Sequence, residues 1–136
     1  MLTPQQIRLI KHSFALVEPI SEQAATIFYD TLFEIDPKLR PLFKGNIKQQ
    51  GRKLIAMLAA AVEGLDDLET LVPVLKQLAI RHNSYGVKKV HFTPVGNALL
   101  HTLKTGLGSA FTEEVKQAWV ALIHLVADTM KQDIHQ

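Results

Sequence analysis

Cysteine is absent from these 136 residues. That removes disulfides, thiolate nucleophiles, zinc knuckles and any C-x-x-C-H attachment motif. An excess of one charge is missing too: 15 Lys/Arg stand against 13 Asp/Glu, a formal +2 with a sequence pI near 8.9. So mild a balance, with no dense Lys/Arg run, gives no support to nucleic acid as a partner. No apolar run approaches the ~20 residues that span a bilayer. The start, MLTPQQIRLIK, lacks the basic opening and apolar block of a secretory signal. A cytoplasmic protein with no membrane association is the expectation. Sustained apolar–polar alternation is also lacking, which leaves a sheet without support.

What the chain does have is helical periodicity, within a composition 47% hydrophobic and on the scale of one domain over residues 1–136. Thr3-Pro4 reads as a cap and first turn, followed by Ile7, Ile10, Phe14 and Val17 at helical spacing. Pro19 and Ser21 restart the chain, and Phe28, Leu32 and Ile35 mark a second helix ending near Asp36-Pro37. PKLRPLF holds two prolines four apart, enough for only a short turn of helix. Gly45-Asn46 breaks the chain before a long helix from about Ile47 to Glu63, with Leu54, Leu58, Ala61 and Leu65 along one side. Beyond Gly64 and Asp66-Asp67, Leu71, Leu75, Leu78 and His82 share one face of the next helix. Thr93-Pro94 opens another, carried by Val95, Leu99, Leu100 and Leu103 and closed by the glycines of TGLGS. Thr112 caps the last helix, marked by Trp119, Leu122, Ile123 and Val126, with Glu113 and Glu114 against its positive end. The expectation is an all-α fold of six or seven helices.

Residues that break the apolar stripes carry the chemistry. His82 ends one stripe, Gln50 shares the face of Leu54, and Tyr29 sits in the middle of the second helix. Each also fits a structural role: a histidine satisfied at a helix C-terminus, a glutamine at a stripe's edge, a tyrosine with a wet hydroxyl. The six histidines never take i, i+3 or i, i+4 spacing with one another, so a helical zinc site is not expected. Gly106-Leu-Gly108 begins like a dinucleotide fingerprint, but Phe111 holds the third glycine position and no strand precedes it. No serine lies in a nucleophile elbow.

The ordered set FYDTLF, PKLRPLF, QGRKLIAMLAAAVEGLDDL and AIRHNSYGV resembles the globin family over essentially the whole length, in particular single-domain bacterial haemoglobins and the haem domains of flavohaemoglobins. The resemblance implies a globin fold around a haem pocket, with a short or absent D helix and haem b held without covalent attachment. It makes His82 the proximal ligand of the haem iron, thirty-two residues after a distal Gln50. It pairs Gln50 with Tyr29 as donors to bound O₂, with Leu54 as their apolar neighbour. Phe43 becomes the aromatic packed on the porphyrin and Leu78 part of the proximal wall. Val87, Phe92 and Val95 are further haem contacts it implies, and Lys53 and Arg81 are candidate partners for the propionates. One departure stands out. Flavohaemoglobin-type domains place a tyrosine soon after the proximal histidine and a glutamate late in the last helix, where this chain has Phe92 and Ile134. A weaker electron push from the proximal imidazole follows, which disfavours peroxidase-like chemistry.

Three functions remain in view. One is a protein that binds O₂ reversibly, with CO and NO as other ligands, for storage, delivery or scavenging. A second is an NO dioxygenase that depends on an external reductase. A third is a haem-based sensor acting through a partner, or a haem-free helical interaction module. A monomer or weak homo-oligomer is expected.

Overall fold

The computed structural model describes residues 2–43, 46–84 and 88–132, with residues 82–84 described by their backbone alone. Six α-helices carry the fold: α1 Pro4–Val17, α2 Ser21–Ile35, α3 Ile47–Glu63, α4 Leu68–Ser84, α5 Phe92–Leu107 and α6 Glu113–Lys131. Short turns of 3₁₀ helix connect them at Glu18–Ile20, Pro37–Leu42, Gly64–Asp66, Lys89–His91 and Gly108–Ala110. There is no strand among the described residues. None of these helices is long and apolar enough to cross a membrane.

Local chemistry explains where the helices start and stop. At α1 the Thr3 hydroxyl accepts from the Gln6 N–H at 3.1 Å while the Gln6 side chain accepts from the Thr3 N–H at 3.0 Å. This reciprocal box satisfies two of the donors that a helix start leaves open. Asn46 caps α3 by accepting from the Lys48 N–H at 2.8 Å, and Thr112 caps α6 by accepting from the Val115 N–H at 3.2 Å. After α5 the chain reverses through Gly108 at φ +54°, a conformation that glycine adopts without a Cβ clash. The start of α5 differs from expectation. The helix begins at Phe92, directly after the turn in which His91 Nδ1 accepts from the Lys88 N–H at 3.0 Å, so Thr93 and Pro94 lie inside its first turn.

The main core gathers Ile10, Phe14 and Val17 of α1 with Val115, Ala118, Trp119 and Leu122 of α6. Trp119 is fully buried, and its indole N–H donates to Ser13 Oγ at 2.8 Å, joining the two helices through a polar contact inside an apolar layer. Helix α2 crosses α3 at Gly51, where an added Cβ would stand 2.8 Å from the Ala25 Cβ. The helices can be this close only because position 51 carries no side chain. Ile35, expected to mark the apolar face of α2, is instead 47% exposed, because the helix ends there and the chain turns away at Asp36. Helix α4 packs on α6, whereas α3 packs on α2 and α1. The two helices that flank the Gly64–Asp66 turn therefore rest on different partners.

Candidate functional site

A second cluster forms where α2, α5 and the start of α3 meet. Phe28, Tyr29, Leu32, Leu39 and Ala98 are buried in it, and Phe43, Leu54 and Val95 pack against it. Four of the residues singled out from the sequence (Tyr29, Phe43, Leu54 and Val95) thus come together from four separate stretches of chain. Ala25, Phe28, Tyr29 and Leu32 fall on the inward side of α2, which is what turns the tyrosine into the protein. Its ring meets Phe28 edge-on at 5.0 Å, Phe43 edge-on at 5.3 Å, and stacks on Phe33 at 5.9 Å. Arg40 lies over the Phe33 ring at 5.3 Å and donates to the Phe43 carbonyl at 3.3 Å, which fixes the short Pro37–Leu42 turn against the cluster.

The hydroxyl of Tyr29 is the chemical oddity. The residue is 5% exposed, yet among the described residues none hydrogen-bonds that hydroxyl. Buried polar groups are satisfied in the great majority of cases, so an orphan of this kind calls for an explanation. Burial alone pushes its pKa up to about 12, since the phenolate would lose hydration that nothing nearby replaces. Tyr29 therefore stays a neutral donor throughout the ordinary pH range. Gln50 is half-buried in the first turns of α3, one residue before the Gly51 crossing. A Cβ at Gly51 would also lie 4.0 Å from the Tyr29 ring, so the crossing sets the position of Gln50 relative to Tyr29. Lys53 is exposed further along the same helix.

On the other side, Leu78 is half-buried against Leu71, Leu75, Ala79 and Met130, and Phe92 packs on the same group. Arg81 is exposed near the end of α4, and His82 follows it in that helix's last turn. The His82 side chain lies outside the described residues, as do Gly45, Gly86, Val87 and Ile134. Phe92 also faces α6: Lys131 Nζ stands 5.7 Å from its ring centre, at the edge of a cleft of about 170 Å³ between α5 and α6. No group of three His, Cys, Asp or Glu that could hold a bare metal ion occurs among the described residues.

The globin family model matches residues 26–130, from before Tyr29 to the last turn of α6. The chain belongs to the globin family. Among curated relatives of this globin, a flavohemoprotein of Bordetella parapertussis is 34% identical over 133 residues, covering 96% of this chain and 33% of the relative. One from Vibrio cholerae is 31% identical over 130 residues, covering 93% of this chain and 33% of its own length. The globin therefore spans about a third of the curated relatives it matches. Among solved structures, an engineered carbene transferase derived from a candidate nitric oxide dioxygenase of Rhodothermus marinus aligns with a TM-score of 0.87 at 26% identity, over 97% of this chain and 92% of that one. A bacterial globin from Campylobacter jejuni aligns with a TM-score of 0.83 at 25% identity, over 96% and 95% respectively.

Two contributors to this globin's site were not found by sequence reasoning. Phe33 stacks on Tyr29, although its place one residue beyond Leu32 puts it off the main stripe. Gly51 lies mid-helix, where a glycine reads as a propensity cost. The signal that could have found it is its adjacency to Gln50, a polar residue already on the inward face.

Proposed function

We propose that this globin holds haem b without covalent attachment, between α3 and α4, and binds O₂ reversibly there in the cytoplasm, with CO and NO as other ligands. Haem supplies an iron able to take up a diatomic gas; the chain supplies everything that decides which gas and for how long. The observation that carries the proposal is the buried Tyr29 hydroxyl, which is without a hydrogen-bond partner among the described residues. A phenol held neutral and dry is suited to donate to an electron-rich ligand, because its donor strength is not spent on water. Gln50 adds an amide N–H to the same side, kept in place by the close crossing at Gly51. Phe43, Leu54 and Val95 keep water from the pair. His82 is the residue that would hold the group from α4, with Leu78 beside it and Val87 and Phe92 as further contacts. The exposed cations Lys53 and Arg81 suit the acidic edge of a haem. This set fits the group.

A second function, an NO dioxygenase that takes electrons from a separate reductase, is favoured by two similarities: to flavohemoproteins over a third of their length, and to the Rhodothermus marinus protein described above. Absorption spectra of the purified protein test the haem assignment. A Soret band that moves on adding CO is expected, and His82→Ala should lose haem or its normal ligation. A folded, colourless protein that takes up no haem would sink both functions. Fast multiple turnover of NO with an added reductase, against slow turnover without, separates dioxygenase from carrier.

A further inference from the structure

The net charge of +2 conceals a division. Between Asp36 and Glu63 the chain carries six Lys/Arg and no Asp or Glu, and between Glu69 and Glu113 it carries five and again none. The remaining segments carry four Lys/Arg and all 13 Asp/Glu. The acid-free segments thus hold +11 against −9 elsewhere. They correspond to α3 with the turn before it, and to most of α4 together with α5. These are the elements that build the candidate site, apart from α2.

Several of these charges stand at the site itself. Lys48, Arg52 and Lys53 are exposed in the turns of α3 that carry Gln50 and Leu54. Lys88 and Lys89 are exposed just before α5, whose Val95 shares a cluster with Tyr29 and Phe43. Arg40 is fixed beside that cluster by the Phe33 ring and the Phe43 carbonyl. Lys48 and Arg52, four apart on one helix, repel each other, so the fold gains nothing from having both. One ion pair among the described residues, Lys11 with Asp66, lies outside both acid-free segments.

We infer that this basic face is the docking surface for an acidic electron-donor protein that returns the ferric haem to the ferrous state. The inference rests on the haem-binding function proposed above. The donor's reduced flavin would give up one electron, which would take ferric haem to ferrous with no proton or group passing between the proteins. Charge complementarity selects this partner over a polyanion. A net +2 gives a weak pull on nucleic acid at long range, whereas the exposed Lys48, Arg52, Lys53, Lys88 and Lys89, on or beside elements of the site, attract an acidic surface at close range.

Stopped-flow reduction of the ferric holoprotein under CO by fully reduced flavodoxin, an acidic flavin donor, tests this. The second-order rate constant should fall about tenfold between low and near-physiological salt, because exposed charges beyond about 8–10 Å are screened there. Combining Lys48→Glu, Arg52→Glu and Lys89→Glu should lower the low-salt rate about tenfold or more and flatten its salt dependence. Reduction by dithionite, whose reactive SO₂ radical anion carries a single charge, should change far less, and Lys116→Glu on α6 should leave the flavodoxin rate alone. If the triple variant does not fold, Lys48→Gln and Lys89→Gln singly should each slow reduction about two- to threefold at low salt. A salt-independent rate, or equal rates in wild type and charge-altered proteins, overturns the assignment. So does tight retention of single-stranded RNA on this face with reduction unaffected by the substitutions. A wild-type protein with no Soret band overturns the haem function and this inference together, whereas a normal Soret band with salt-independent reduction overturns this inference alone.

Discussion

Replacing Tyr29 with phenylalanine removes one oxygen from a residue 5% exposed, where no described residue bonds to it. Deleting a buried hydroxyl commonly costs stability by stranding its partner, about 1–3 kcal/mol. Here no described partner is stranded, so apoprotein stability at neutral pH should hold or rise by about 1 kcal/mol. Ligand retention should move the other way. If the phenol donates to O₂ in a dry pocket, its loss removes about 1–3 kcal/mol, or roughly 5- to 150-fold in the dissociation rate. The pKa adds a third reading. A group ordinarily at 10.0 and pushed to about 12 by burial keeps its proton in the folded state where the unfolded chain has released it. The associated stability, about 3 kcal/mol, is fully present below pH 10 and is lost as pH rises toward 12. Tyr29→Phe should flatten that alkaline loss. O₂ displacement by CO gives the dissociation rate, denaturant unfolding of the apoprotein gives stability at neutral and alkaline pH, and phenolate absorbance follows the titration. A dissociation rate within about twofold of wild type would remove Tyr29 from ligand stabilisation. A Tyr29 that ionises at its ordinary 10.0 would show that it is not buried as described.

Gly51→Ala places a methyl 2.8 Å from the Ala25 Cβ, and neither group can rotate away. A net loss of about 1–3 kcal/mol in thermal or denaturant unfolding is expected even after the gain in helix propensity, with partial recovery on adding Ala25→Gly. A variant as stable as wild type would show that the α2–α3 crossing relaxes easily. Ser13→Ala strands the Trp119 N–H in a fully buried site, for a loss of about 1–3 kcal/mol by the same measurements. An unchanged unfolding midpoint would mean that the indole finds another acceptor. For His82→Ala, retention of a normal haem spectrum would refute its ligand role.

Much of the helix plan could be read from the chain because caps and stops are local. Thr3, Asn46, Thr112 and Gly108 each act on backbone groups within a few residues, and α3 begins and ends at Ile47 and Glu63 as the pattern suggests. The placing of Tyr29, Phe43, Leu54 and Val95 in one cluster was likewise legible, but through resemblance to a family and not through periodicity. Contacts between distant residues left no such trace. Nothing in SFALVEP or VKQAWVAL announces that Ser13 accepts from Trp119, 106 residues away. Ile35 shows the converse limit: its spacing assigns it to the buried face of α2, but the face it belongs to ends with the helix. At α5, Thr93-Pro94 has the composition of a helix start, and the preceding turn through His91 supplies an earlier one.

The contact between Ser13 and Trp119 also sets a timetable for biosynthesis. Ribosomes add about 5–20 residues per second, so α1 waits roughly 5–20 seconds for the helix that covers it. During that interval Ile10, Phe14 and Val17 have no α6 to lie against. Until α6 leaves the exit tunnel, α1 carries an uncovered adhesive stripe, and the yield of folded chain depends on whether chaperones or neighbouring chains meet that stripe first.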